Sequence, residues 1–142
     1  MNATISHITE GSLAHNIGIE KGDILNEVNG HHVRDAIDYM FYSSKDSDLA
    51  LKIQRADKSL LFKIKNREKP DIGFELKPFS IKSCRNKCIF CFVDQLPKGM
   101  RKSLYLKDED YRMSFLYGNY MTLTNLSASD RKRIIEQKLS PL

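Results

Sequence analysis

The 142-residue sequence has no apolar run approaching the roughly 18 to 20 residues that a membrane-spanning helix needs. Its first residues, MNATISHITEGS, carry neither a basic stretch nor an apolar core. No secretory signal is therefore expected, and the expected compartment is the cytoplasm. Cysteine is scarce and odd in number, with three in all, and no histidine follows the last of them, Cys91. In a reducing compartment that count argues against a disulfide scaffold and for bound metal or a reactive thiol. The remaining composition, 41% hydrophobic and 29% charged, is that of an ordinary globular domain.

Charge is unevenly spread. Residues 1–78 hold 11 basic and 12 acidic side chains, whereas residues 79–142 hold 12 basic and 6 acidic. The asymmetry hints at two modules, 1–78 and 79–142. A net positive second half is compatible with an anionic partner such as nucleic acid, but a solvated basic surface is the simpler account.

In the first module ISHI, DILNEV, LALKIQ and LLFKIK read as strands. The last two alternate, with Leu49, Leu51 and Ile53 on one face and Leu60, Phe62 and Ile64 on another. Asn29-Gly30 is a tight-turn dipeptide. Between the strands, DAIDYMFYSS places Ala36, Ile37, Met40 and Phe41 on one helical face behind Asp35, a good N-cap. SLAHNIGI reads as a shorter helix closed by Gly18. Strands with two helices predict a small α+β domain. His7, His15, His31 and His32 lie far in sequence from the cysteines, and His31-His32 reads as an exposed pair.

The order of these pieces resembles a PDZ domain. EGSLAHNIGIEKGDILNEVNGHHV matches its central strand–turn–helix–strand block, and the helix near 35–43 stands where the PDZ groove helix belongs. The strand and carboxylate-binding loop that usually come first are found last, in LLFKIK and NREKPDIGFELKP, as in the circularly permuted PDZ domains of bacteria. The resemblance implies a peptide-binding loop at Ile72, Gly73 and Phe74. There glycine would let successive backbone N–H groups converge on a carboxylate, and the next strand would offer an edge for strand addition. A plain turn with a covered strand edge explains the same residues, since only a few positions separate Phe74 from the first cysteine.

The second module opens with a strand candidate, PFSIKS, running into CRNKCIFCF. Thiolates suit zinc or iron–sulfur clusters. Zinc sites favour two separated pairs of ligands, and no fourth cysteine or downstream histidine exists to complete a tetrahedron. Thioredoxin-type chemistry would use Cys88 and Cys91 and leave Cys84 unexplained. Three ligands on a four-iron cluster leave one iron open.

Cys84-x3-Cys88-x2-Cys91, with Phe90 directly before the last cysteine, resembles the signature loop of the radical SAM superfamily. The resemblance implies a [4Fe–4S] cluster on the three thiolates and S-adenosylmethionine (SAM) chelated to the open iron. It implies an oxidoreductase that generates a 5′-deoxyadenosyl radical, fed by an electron donor such as a flavodoxin or ferredoxin. Phe90 would lie against adenine. Tyr117-Gly118-Asn119-Tyr120 stands about where the family's SAM-contacting patch follows the second barrel strand, which points to Gly118 and Asn119, although Gly-Gly-Glu is the usual form. The whole chain looks like bacterial proteins that join a PDZ-like N-terminus to a radical SAM core.

Within that frame RMSFLYGNYMTLTNL reads as the second barrel strand, with Met113, Phe115 and Tyr117 alternating. Ser127 and Asp130 form a capping box ahead of a helix striped by Ile134, Ile135 and Leu139 and stopped at Pro141. The expected architecture is thus α+β, a permuted PDZ-like domain followed by the opening β/α units of an incomplete radical SAM barrel. A closed barrel takes roughly 200 residues or more, so this polypeptide alone is expected not to support turnover. A peptide-binding adaptor without chemistry is the alternative. Lys98, Arg101 and Lys102, near the cysteines, suit either an anion or plain solvent.

Overall fold

In this computed structural model residues 3–44, 48–65 and 71–142 are described. The chain divides into two compact units, Met1–Phe79 and Ser80–Leu142.

The first unit is built on antiparallel strands: β1 (Ala3–Ile8), β2 (Ile24–Val28), β3 (His31–His32), β4 (Leu49–Arg55), β5 (Lys58–Ile64) and β6 (Phe74–Leu76). They line up in the order β5-β4-β2-β1-β6, with β3 paired to β2. Register follows the alternation read from sequence: Leu49 faces Ile64, Leu51 faces Phe62 and Ile53 faces Leu60. The β4 members of these pairs are buried and the β5 members half-buried. Each fully buried Leu or Ile stabilises by about 1.5–3 kcal/mol. Asn29 and Gly30 take positive φ to join β2 to β3, the backbone that this tight turn demands. The Asn29 side chain also accepts from Ala50 N–H at 2.8 Å.

Two helices close the unit. The short α1 (Leu13–Asn16) is capped by Ser12. In α2 (Ala36–Ser43) Asp35 caps as expected, accepting from the N–H groups of Ile37 and Asp38. The core joins Ile5, Leu25, Val28, Leu51 and Ile53 of the sheet to Ala14, Tyr42, Ile72 and Phe74. Arg55 clamps one end, donating to Asp23 at 2.8 Å and to the Gly18 carbonyl at 2.7 Å. Of the predicted strand-and-loop segment, residues 66–70 lie outside the described residues. LLFKIK lies largely in β5, paired to β4, and FEL forms β6, which pairs with β1, as a permuted order requires. His31 and His32 are exposed, and the His31 ring stacks on Tyr42 at 4.3 Å.

The second unit departs from the expected barrel opening. Its regular elements are α3 (Tyr111–Tyr117), α4 (Ala128–Gln137) and a 3-10 turn at Lys102–Tyr105. RMSFLY is helix, not strand. Asp110 caps it by accepting from Arg112 N–H, and Gly118 ends it in the left-handed region at φ 72°. Two flanking caps outweigh the alternation of Met113, Phe115 and Tyr117, because β-propensity only describes fit to a pleated, half-buried surface. PFSIKS likewise forms no strand and keeps a single bridge, Ser83 to Asp108.

The capping box of Ser127 and Asp130 is present as read. The expected stripe is not: Ile135 is 77% exposed and Ile134 half-buried, while Asp130, Arg133 and Gln137 are the buried face with Leu139. The helix ends at Lys138, also left-handed, before Pro141 is reached. What holds this unit is polar. Arg112 grips Asp110 at 2.6 and 2.9 Å, and Lys82 Nζ bridges both oxygens of Asp130 at 2.7 and 2.8 Å.

Candidate functional site

The segment leading into the cysteines is tied down residue by residue. Lys82 N–H donates to Asp110 at 2.9 Å, and its carbonyl accepts from Glu109 N–H at 3.0 Å. Cys84 N–H then donates to the Lys107 carbonyl at 2.7 Å. Cys84 is thereby fixed and half-buried, Cys91 is half-buried, and Cys88 is exposed; all three are free thiols. A turn joins the last two, with Cys91 N–H donating to the Cys88 carbonyl at 3.2 Å, and Gln95 N–H continues to the Cys91 carbonyl.

Polar groups surround the thiols. Asn86 N–H reaches Cys84 Sγ at 3.4 Å. Lys107 pairs with Asp94 at 2.6 Å. That contact holds the Asp94 carboxyl below its usual range and lifts the Lys107 ammonium, to which the nearby sulfurs of Cys91 and Cys84 add. Three free sulfur donors on one loop form a donor set of the kind that soft metals and iron–sulfur clusters take. In this conformation the thiols stand apart: among the described residues no three His, Cys, Asp or Glu side chains converge to hold a metal ion.

Asn86 also ties the loop to the segment after α3, its side-chain amide donating to Thr124 Oγ1 at 2.6 Å. Thr124 in turn meets Thr122, which donates to Glu109 at 2.6 Å. Gly118 is the helix cap of α3, neither a strand-end patch nor a bulge, and the Asn119 side chain donates to Asp108 at 2.7 Å. Phe90 is 85% exposed beside the similarly exposed Ile89 and Phe92. Lys98, Arg101 and Lys102 are all on the surface. Lys107, Asn86 and Thr124 escaped the sequence reading. Only Asn86, between two cysteines, carried any local signal.

A second candidate lies in the first unit, a groove of about 640 Å³ between α2 and β6. Ala36, Tyr39 and Met40 form one wall, and Asp71, Phe74 and Glu75 the other. Tyr39 and Phe74 rings meet at 4.9 Å across its floor. Ile72 is buried in the core and its carbonyl accepts from Ala14 N–H at 2.8 Å. Gly73 has φ +90°, and its carbonyl accepts from Thr9 N–H at 2.9 Å and from the Ser12 hydroxyl at 3.3 Å. Gly73 N–H donates to Asp71 Oδ1 at 2.8 Å. On its groove side β6 pairs with no strand among the described residues. Among the described residues nothing fills this groove, whose state the sequence left undecided.

No helix among the described residues is long and apolar enough to cross a membrane. No curated protein matches the sequence. Among solved structures, the PDZ domain of the SdrC-like protein from Listeria innocua is similar at 21% identity with a TM-score of 0.44, covering 56% of this chain and 98% of that one. A family model described as a PDZ domain matches residues 4–55. A second, described as a Radical SAM-like domain, matches residues 66–142, more than half of the chain. The chain belongs to the family with the Radical SAM-like domain, and it carries a PDZ domain ahead of that part.

Proposed function

We propose that Cys84, Cys88 and Cys91 hold a [4Fe–4S] cluster to which SAM binds, and that the chain is the PDZ-bearing N-terminal part of a radical SAM oxidoreductase acting in the cytoplasm. When bound, the cluster and SAM supply an electron and a 5′-deoxyadenosyl radical for hydrogen abstraction from substrate. The observation that supports the reading best is three free thiols on one tied-down loop, spaced Cys84-x3-Cys88-x2-Cys91, inside the segment that matches the Radical SAM-like model. Asn86 N–H lies on Cys84 Sγ, and the backbone bond from Cys84 to Lys107 fixes the first ligand. Cys88 lies at the surface of the turn. Phe90 offers an exposed aromatic face for adenine. Gly118 and Asn119 stand as the SAM-contacting pair, with the Asn119 amide handed over from Asp108. A flavodoxin or ferredoxin would deliver the electron.

Anaerobic reconstitution with iron and sulfide, followed by absorption and EPR spectra with and without SAM, tests this. A reduced cluster signal that shifts on adding SAM, and that is lost in Cys88→Ala, is the expected result. Absence of any cluster in the wild-type chain would sink the reading.

A second reading rests on the first unit. The open groove between α2 and β6 supports peptide binding by strand addition to β6, with Phe74 as an apolar contact and the loop at Ile72 and Gly73 at its end. The two readings are compatible in one protein. An adaptor without chemistry is what remains if the cysteines bind nothing.

A further inference from the structure

We propose that Asp71 sets the ligand class of the α2–β6 groove, excluding a free C-terminal carboxylate and selecting an internal stretch of polypeptide that bears lysine or arginine. The inference rests on the groove reading above and narrows it.

A φ-Gly-φ loop captures a terminal carboxylate by turning its N–H groups onto the anion. Here one of those groups is already taken. Gly73 N–H donates to Asp71 Oδ1 at 2.8 Å, so a carboxylate from within the chain sits where a ligand's would bind. The carbonyls of Ile72 and Gly73 are spent on Ala14, Thr9 and Ser12, which fixes the loop and removes any easy rearrangement. An incoming carboxylate would have to displace Asp71 from Gly73 and then lie within a few ångströms of a like charge, which repels it.

The walls point the same way. Asp71 and Glu75 both line the groove, and no lysine or arginine does among the described residues. Tyr39, Met40 and Phe74 supply apolar contact between the two carboxylates. An extended peptide laid along β6 projects alternate side chains to one face. Its apolar residues suit those rings, and a basic residue two positions away suits Asp71 or Glu75. Such a ligand needs no chain end.

The test uses the full chain and randomised decapeptide pools of one apolar composition. Each pool is made with a free or an amidated C-terminus, and with or without lysine and arginine. Wild-type protein is expected to retain amidated peptides at least as well as free acids, and to favour basic pools about tenfold. Asp71→Ala frees Gly73 N–H, so the acid-to-amide ratio should rise about tenfold. Asp71→Asn keeps an acceptor on Gly73 N–H and loses the charge, so basic preference should fall while free acids still gain little. Should Asp71→Ala not fold, as judged by circular dichroism, the Asn variant carries the test through the lost basic preference. Wild-type preference for free acids, or an acid-to-amide ratio unmoved in Asp71→Ala, would overturn the role of Asp71 alone. No retention of any pool by folded wild-type and variant proteins would overturn the groove reading with it.

Discussion

Arg133 on α4 donates from Nη1 to the hydroxyl of Tyr111 on α3 at 3.0 Å, and both residues are buried. The same guanidinium donates from Nε to Gln137 at 3.2 Å and lies over the Tyr111 ring, 5.9 Å from its centroid. Burial raises the Tyr111 hydroxyl above its ordinary pKa against the opposing pull of Arg133, so the phenol stays neutral. Two short helices are thus joined through polar groups where an aliphatic contact would be usual. Removing one hydroxyl and removing the cation should differ in cost. Tyr111→Phe is expected to destabilise by about 1 kcal/mol, the net worth of a single hydrogen bond. Arg133→Ala, which strips several buried partners at once, should cost about 3 kcal/mol. Urea unfolding followed by circular dichroism measures both. Equal losses would mean that the network does not act through Arg133.

Acid should unravel this unit through Asp130 and Asp110. Burial alone would raise each carboxyl. The Lys82 ammonium and Ser127 more than offset it at Asp130, as do Arg112 and the Lys82 N–H at Asp110, and both end below the ordinary value of 3.8. A carboxyl whose folded pKa is depressed binds its proton more readily when unfolded. Its stabilisation is complete above about pH 5 and drains as pH falls through 3.8 toward the folded value. Urea midpoints taken between neutral pH and pH 3 should fall steeply at the acid end. Asp130→Asn should flatten that limb while lowering neutral-pH stability by about 1–2 kcal/mol, from a lost ion pair and half a capping box. A wild-type midpoint that does not move with acid would contradict the assignment.

How legible this was in the sequence depended on the range of the signal. The alternation within β4 and within β5, the turn at Asn29-Gly30, the Asp35 cap and the Ser127–Asp130 box are all set by residues a few positions apart, and each is where the pattern put it. The errors lie in the second unit. There Asp110 and Gly118 frame a seven-residue helix whose interior alternates like a strand. The buried stripe of α4 is Asp130, Arg133 and Gln137, charged or polar residues that a hydrophobic template scores as surface. Lys82 to Asp130 and Asn86 to Thr124 span 48 and 38 positions, with no local mark to join them. The Asp71 bond to Gly73 N–H spans only two residues. Asp placed two before a turn glycine is a legible local signal, although the same glycine also fits a carboxylate-binding loop.

The exposure of the three thiols orders their reactivity before any cluster is present. Cys88 lies at the surface, whereas Cys84 and Cys91 are half-buried and Cys84 is held by its neighbours' backbone. Limited alkylation with iodoacetamide, read by mass spectrometry under anaerobic conditions, should label Cys88 first by several fold. After reconstitution with iron and sulfide, all three should be protected together, as ligands to one cluster would be. Protection of Cys88 and Cys91 alone would instead point to a two-thiol site and leave Cys84 structural.

Gly73 is the position in the first unit least able to accept a side chain. Its φ of +90° lies where L residues are strained, and a Cβ there would stand 2.2 Å from Ser12 Cβ and 2.6 Å from its hydroxyl. Neither partner can yield cheaply. Ser12 caps α1 through His15 N–H and donates to the Gly73 carbonyl, so moving it loosens both the helix and the loop. Gly73→Ala should therefore lower stability by about 2–4 kcal/mol, the sum of backbone strain and overpacking. The companion Ser12→Gly on its own removes a cap worth a few tenths of a kcal/mol. Combined with Gly73→Ala it relieves the clash but not the strained φ, so the double variant should recover part of the loss, about half. Thermal or urea unfolding of the four proteins closes the cycle. No recovery in the double variant would place the whole cost in the backbone, and full recovery would place it in the contact with Ser12.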